Sequence, residues 1–101
     1  MEDKRHEGRT IMRQAVDQVV SEREYQRNRW DDVNAARTPD EWVVILSIYL
    51  GKLARESPAY KGKAYDSQRF QQVLREIGAL SICSLEMMVR PPGPIDSTPK
   101  S

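Results

Sequence analysis

The fold is decided by the stretch Thr38-Pro39-Asp40-Glu41-Trp42-Val43-Val44-Ile45-Leu46, residues 38–46. It opens with a capping box, in which a threonine cap is followed by proline at the first helical position and by glutamate three residues after the cap. Residues 43–46 are β-prone in isolation, but they lie inside this capped frame, and the apolar spacing continues to Leu53. The stretch therefore predicts a helix, which should stop by Ser57-Pro58 because a residue before proline disfavours helical geometry.

A first helix precedes this stretch. Apolar residues recur at helical spacing from Ile11 to Val20, which predicts a helix that begins near Thr10 and continues as a polar run to about Trp30. Residues 31–37 lose the periodicity and are predicted to be a connection.

A third helix follows a loop that is predicted at residues 58–65. The helix should begin at Asp66 or Ser67 and run to Val89. Cys83 falls among its small residues and is predicted to be a buried small hydrophobe. Proline-rich residues 90–101 cannot propagate a helix.

The predicted fold class is all-α, with one domain. Residues 1–9 are expected to be a flexible N-terminus, residues 10–89 the helical domain and residues 90–101 a disordered proline-rich tail. The second and third helices should form an antiparallel core pair, with the first packed across or alongside them. Because apolar positions on the core pair cover more than one narrow stripe, two chains are expected to complete a four-helix-type bundle.

Composition limits the location and the partners. The net charge is +1, from 16 basic and 15 acidic side chains, so no global field draws the chain to nucleic acid or to an anionic membrane. A single cysteine indicates a reducing compartment. A charged amino terminus without an apolar run behind it does not have the pattern of a secretory signal. We therefore expect a cytoplasmic protein that does not bind membranes, and the charge balance argues against nucleic acid as a partner.

Several segments together resemble the MazG-like family of all-α nucleotide pyrophosphohydrolases. They are an acidic–basic helical run, a tryptophan, the capped helix and a third helix with small residues: Glu22-Arg23-Glu24-Tyr25-Gln26, Arg29-Trp30, residues 38–46, Leu50-Gly51, Leu53-Ala54 and Arg75-Glu76-Ile77-Gly78-Ala79-Leu80. The resemblance covers roughly residues 20–88. It implies the all-α fold and assembly as a dimer or tetramer.

The family's metal-binding carboxylates are largely missing from this chain. The family has a Glu-Glu-x-x-Glu run on one helix and Glu-x-x-Asp on the next, which hold Mg²⁺ against nucleotide phosphates. The first run is replaced here by Ile48, Tyr49 and Lys52, and the second region contains Gln72, Val73 and Glu76. One acid cannot hold a divalent cation, so we predict no metal, no cofactor and no catalytic residue.

These replacements suggest a different role for the place where the family holds its metal ion. If the helices pack as in the family, Lys52 lies near Glu76 and its ammonium replaces the cation, while Ile48, Tyr49 and Val73 turn the site apolar. Breaking such a buried pair should cost about 3–5 kcal/mol. The alternative is that Lys52 extends over the core and keeps its charge in water.

Other side chains are candidate ligand or partner contacts. Two tryptophans in so short a chain are expected to anchor the core or an interface. A small basic cluster near the second loop is a further candidate, although a solvated loop is the simpler interpretation. These candidates are Trp30, Trp42, Arg55, Lys61 and Lys63.

Three functions remain open from the sequence. The first is a catalytically degenerate MazG-like protein, a non-hydrolytic binding or regulatory module for a protein partner or a nucleotide, including an inhibitor from a phage or mobile element. The second is an active Mg²⁺-dependent nucleoside triphosphate pyrophosphohydrolase with a rearranged site. The third is an unrelated helical adaptor whose basic loop binds nucleic acid.

Overall fold

The computed structural model describes the backbone of residues 2–34 and 36–89, and the side chains of residues 7–30 and 36–89. The helices are α1 (Glu2–Asn34), α2 (Pro39–Arg55), α3 (Pro58–Lys61) and α4 (Ser67–Val89), with a 3-10 turn at Gly62–Ala64 between the last two. The described residues contain no strand, so the predicted all-α class is confirmed.

The capping box places α2 as predicted. Thr38 Oγ1 accepts a hydrogen bond from the Glu41 backbone N–H at 3.2 Å, and Glu41 Oε1 accepts one from the Thr38 backbone N–H at 2.8 Å. Each bond satisfies a backbone donor that has no partner within the helix. The helix ends at Arg55, before Ser57-Pro58.

The predicted ends of the first helix were wrong. The helix begins at Glu2 instead of near Thr10, and it continues to Asn34 instead of stopping near Trp30. Residues 31–34, expected in the connection, are therefore helical. Apolar periodicity is absent from residues 2–9, but the Glu, Lys and Arg residues there are good helix formers, so the helix begins without an apolar stripe.

The predicted loop at residues 58–65 is largely helical. Ser57 caps α3 by accepting a hydrogen bond from the Tyr60 backbone N–H at 3.3 Å, and Pro58 occupies the first helical position. Gly62 has φ of 57°, which glycine adopts at little cost and which turns the chain toward α4. The start of α4 at Ser67 is confirmed, while the predicted tail at residues 90–101 lies outside the described residues.

The core lies between α2 and α4. Trp42, Leu80 and Cys83 form a buried cluster, and four partly buried side chains pack against it: Ile45, Leu46, Tyr49 and Met87. Trp42 from the start of α2 meets the second half of α4, whereas Lys52 near the end of α2 meets Glu76 in the first half. The two helices are therefore antiparallel, as predicted, and Cys83 is buried, as predicted.

The long helix α1 lies across α4. Glu22 and Arg23 are neighbours on α1, yet they bind Gln72 and Glu86, which are about 21 Å apart along α4 at 1.5 Å per residue. Gly78 lies at the crossing, where an added Cβ would be 3.2 Å from both methyl carbons of Val19. Among the described residues α4 packs against both other long helices, which do not pack directly against each other.

Candidate functional site

A cleft of about 440 Å³ lies between α1, α2 and α4. Its volume lies in the range of small-molecule sites in proteins. All three long helices contribute to its walls: Glu22, Tyr25, Gln26, Arg29 and Trp30 from α1, Tyr49 and Lys52 from α2, and Gln72 and Glu76 from α4.

A chain of hydrogen bonds joins the three helices at the cleft. The Gln72 amide nitrogen donates to Glu22 Oε1 at 3.2 Å and to Glu76 Oε2 at 3.1 Å. Lys52 Nζ donates to the other Glu76 oxygen at 3.3 Å. The Gln72 amide nitrogen thus lies between the two carboxylates, and the Lys52 ammonium is a second donor to Glu76.

Arg75 fixes the orientation of this amide. Its Nε and Nη2 donate to Gln72 Oε1 at 3.2 and 2.9 Å, and its Nη1 donates to Gln18 Oε1 at 2.9 Å. Because an arginine carries only donors, the amide oxygen must face Arg75 and the amide nitrogen must face the carboxylates.

On the α1 and α2 walls of the cleft, cationic side chains lie close to aromatic rings. The Arg29 guanidinium carbon lies 5.4 Å from the centroid of the Tyr25 ring and 5.6 Å from that of the Trp30 ring. Lys52 Nζ lies 5.3 Å from the Tyr49 ring centroid. Both cations are within the distance at which a ring face attracts positive charge.

The Lys52–Glu76 contact proposed from the sequence is present, but it is not buried. Lys52 is 47% exposed and Glu76 20% exposed. A pair so open to water contributes about 0–1 kcal/mol, far below the value expected for a buried pair. The lysine therefore makes the predicted contact and also keeps its ammonium in water.

The other predicted positions divide between the cleft, the core and the surface. Tyr49, Gln72 and Trp30 line the cleft. Val73 and Trp42 are buried in the interior, and Ile48 is 61% exposed and does not line the cleft, so the walls are mixed and not apolar as expected. The remaining candidates lie outside the lining, with Lys61 Nζ 3.8 Å from Glu56: Arg55, Lys61 and Lys63.

Sequence reasoning missed four cleft residues, all on α1. Glu22, Tyr25, Gln26 and Arg29 belong to the segments that carry the family resemblance, but they were not identified as site residues. Their role depends on where α1 crosses α4, which helical periodicity cannot specify. The only available signal was their spacing, since residues three and four apart share a helix face.

The carboxylates of the cleft do not fit a divalent metal. Mg²⁺ requires near-octahedral oxygen coordination, whereas Glu22 and Glu76 are bridged by an amide and accompanied by an ammonium. In the part of the chain that the structure describes, no group of three or more His, Cys, Asp or Glu side chains lies close enough together to hold a metal ion.

No family model matches this chain, and neither a curated protein nor a solved structure matches it. Of the helices described, none is long and apolar enough to cross a membrane.

Proposed function

We propose that this protein is a non-hydrolytic, MazG-like binding module of the cytoplasm, whose cleft takes a small ligand that carries a flat ring and a negative charge. A nucleotide is the ligand class that best combines these two properties. The observation that carries the proposal is the position of the Gln72 amide, which donates to both Glu22 and Glu76. Donors already satisfy the carboxylates that a metal-dependent hydrolase would keep for its cation.

The remaining cleft walls supply the contacts for such a ligand. Tyr25, Trp30 and Tyr49 line the cleft, and a base can stack on an aromatic ring with about 1–3 kcal/mol of binding free energy. Arg29 and Lys52 are the cations beside those rings, and a guanidinium binds phosphate through two parallel hydrogen bonds. The ligand would thus be held by stacking and by charge, without metal.

Association with other polypeptides is part of the proposal. We propose that the chain acts as a homo-oligomer, a dimer or tetramer, and that it regulates a protein partner. A bound nucleotide would then be a signal and not a substrate.

One observation favours a second candidate, an active pyrophosphohydrolase. Glu22 adds a second carboxylate to the cleft, opposite Glu76 and on a different helix. If Gln72 moved away, these two side chains would offer oxygen ligands to a cation.

Two assays on the purified full chain test these candidates. Ribo- and deoxynucleoside triphosphates are titrated by calorimetry in the presence of EDTA, and pyrophosphate release is followed with Mg²⁺ and Mn²⁺. We expect binding without metal, weakened at least fivefold by Trp30→Ala and by Arg29→Ala because stacking and charge contacts are lost. Arg55→Ala, an exposed arginine outside the cleft, is the control and should bind as the unchanged chain does.

The contrary results are distinct. Pyrophosphate release that depends on metal and disappears in both Glu22→Ala and Glu76→Ala would establish the hydrolase. Nucleotide binding that Trp30→Ala and Arg29→Ala leave unchanged would place the ligand elsewhere, and failure of every nucleotide to bind would refute the ligand class.

A further inference from the structure

The side chain of Gln26 is buried without its full set of hydrogen bonds. It is 1% exposed and is the largest fully buried side chain among the described residues. Its Nε2 donates to the Glu76 carbonyl oxygen at 3.5 Å, which is long for a hydrogen bond. Because only the nitrogen of an amide can donate, Gln26 Oε1 faces away from that carbonyl, and no donor of the described residues reaches it.

An unpaired acceptor at this place requires a physical explanation. A buried polar atom without a partner costs free energy, and most such atoms in folded proteins are paired. The described residues contain one other, Trp42 Nε1, and Trp42 belongs to the core cluster and does not line the cleft. Gln26 does contribute to the cleft wall, so a bound ligand can supply the donor that its oxygen lacks.

A second available acceptor lies beside Gln26 on the same wall. Glu22 comes four residues earlier on α1, a spacing that places two side chains next to each other on one helix face. Its Oε1 accepts from Gln72, whereas its Oε2 receives no hydrogen bond from the described residues. Carboxylate oxygens and amide oxygens accept and do not donate. This part of the wall therefore offers two neighbouring acceptors, which suit a ligand with two neighbouring N–H donors.

Among the common nucleobases, guanine alone presents two adjacent donors on one edge, N1–H and the 2-amino group. The amino group of adenine or of cytosine lies beside a ring nitrogen that is an acceptor. The single N–H of uracil or thymine lies between two carbonyl oxygens. Each of these edges would place an acceptor against Gln26 or Glu22, and two acceptors that face each other after losing water reduce affinity. The polar pattern of the wall therefore favours guanine.

The charges along α1 orient the same ligand. Arg29 lies seven residues after Glu22, about 10 Å farther along the helix at 1.5 Å per residue. A guanidinium attracts phosphate, whereas a carboxylate repels it. A nucleotide with its base at Glu22 and Gln26 and its phosphates at Arg29 meets a favourable charge at both ends.

A ligand can reach Gln26 Oε1 after a side-chain rotation. The oxygen is shielded from water, but glutamine has three rotatable side-chain bonds, and the neighbouring Tyr25 and Arg29 are exposed. Side-chain rotamers commonly change when a partner binds. Because the surroundings of the oxygen exclude water, a base without a suitable donor leaves it unpaired. Sites with such buried polar groups discriminate strongly between ligands.

We infer that the cleft selects guanine nucleotides, and that Gln26 Oε1 and Glu22 Oε2 accept hydrogen bonds from guanine N1–H and from its 2-amino group. Gln26 is then a residue that determines specificity, since its oxygen has no other donor among the described residues. The inference rests on the proposed nucleotide binding, and it names the base.

The first test is a ligand series on the unchanged full chain, measured by calorimetry in the presence of EDTA. We expect GTP to bind at least tenfold more tightly than ATP, CTP or UTP. ITP has the same N1–H but lacks the 2-amino group, and it should bind at least fivefold more weakly than GTP. The matched control is 7-deaza-GTP, which keeps both donors and differs only at the opposite edge of the base, so it should bind as GTP does.

The second test removes the acceptors one at a time. Gln26→Met keeps the length and the helix propensity of the side chain but removes its oxygen, and it should lower the preference for GTP over ATP at least fivefold. Because an unpaired buried atom is also lost, the urea midpoint of unfolding should stay the same or rise. Glu22→Ala should lower the same preference. Gln14→Met makes the matched change at an exposed position of α1 outside the cleft and should alter neither quantity.

The contrary outcomes separate this inference from the proposed function. Nucleotides that bind equally well whatever their base refute guanine selection but leave the nucleotide site standing, whereas failure of every nucleotide to bind refutes both. If Gln26→Met retains the GTP preference, or lowers the unfolding midpoint and the binding of all bases alike, Gln26 supports the fold and does not recognise the base. The ligand series needs no variant, so it decides on guanine even if Gln26→Met does not fold.

Discussion

At the scale of single residues, Arg23 is the most buried charged side chain among the described residues. It is 3% exposed, and its Nε donates to Glu86 Oε1 at 2.9 Å, while Arg27 Nη2 reaches the other Glu86 oxygen at 3.5 Å. A guanidinium does not lose its proton in proteins, so its burial requires acceptors. Glu86 therefore joins α1 to α4 at the end of α4 that lies far from the cleft.

We predict that Glu86→Ala lowers the free energy of unfolding by about 1–3 kcal/mol, because it removes a carboxylate acceptor from a buried cation. Arg27→Ala, which removes the exposed partner of the same carboxylate, should cost less than about 0.5 kcal/mol. Urea denaturation at fixed protein concentration measures both. Equal small effects would show that Arg23 does not depend on Glu86.

At the scale of elements, the capping box is predicted to determine the stability of α2. Thr38→Ala removes the acceptor for the Glu41 N–H and should cost about 1 kcal/mol, while Thr38→Ser should cost much less. The midpoint of denaturant unfolding gives the comparison. An unchanged midpoint for Thr38→Ala would mean that tertiary packing alone sets the start of α2.

The elements also show what the sequence predicts and what it cannot. A cap is a local interaction, so the pattern of Thr38 and Glu41 predicted the start of α2 correctly. Ser57-Pro58 was interpreted only as a stop for α2, although the same cap-then-proline pattern also begins α3. The error arose because one dipeptide carries two local signals.

The cleft was less predictable than the helices, because it depends on how they cross. The Lys52–Glu76 contact followed from the assumed family packing, and the contact is present. Its exposure was not predicted, and neither was the part played by Glu22, since both depend on the angle between α1 and α4. Helical periodicity predicts the face of its own helix on which a residue lies. It does not predict which neighbouring helix that face contacts.

At the scale of the whole molecule, α1 is longer than the surface that the other described residues cover. The helix has 33 residues, about 50 Å at 1.5 Å per residue, and its hydrogen bonds to α4 come from Gln18, Glu22, Arg23, Gln26 and Arg27. Side chains of residues 7–18 are all exposed.

One unbroken helix should therefore have two regimes of amide exchange with deuterium. Amides of residues 7–17 are held only by local helical hydrogen bonds and should exchange within seconds to minutes, because a helix of this length is marginal without tertiary support. Amides of residues 19–30 open only when the contact with α4 breaks, so they should exchange far more slowly. Mass spectrometry of peptides from the two segments provides the comparison. Uniform protection along α1 would mean that residues 7–17 are shielded in solution by another surface, either from a partner or from a second copy.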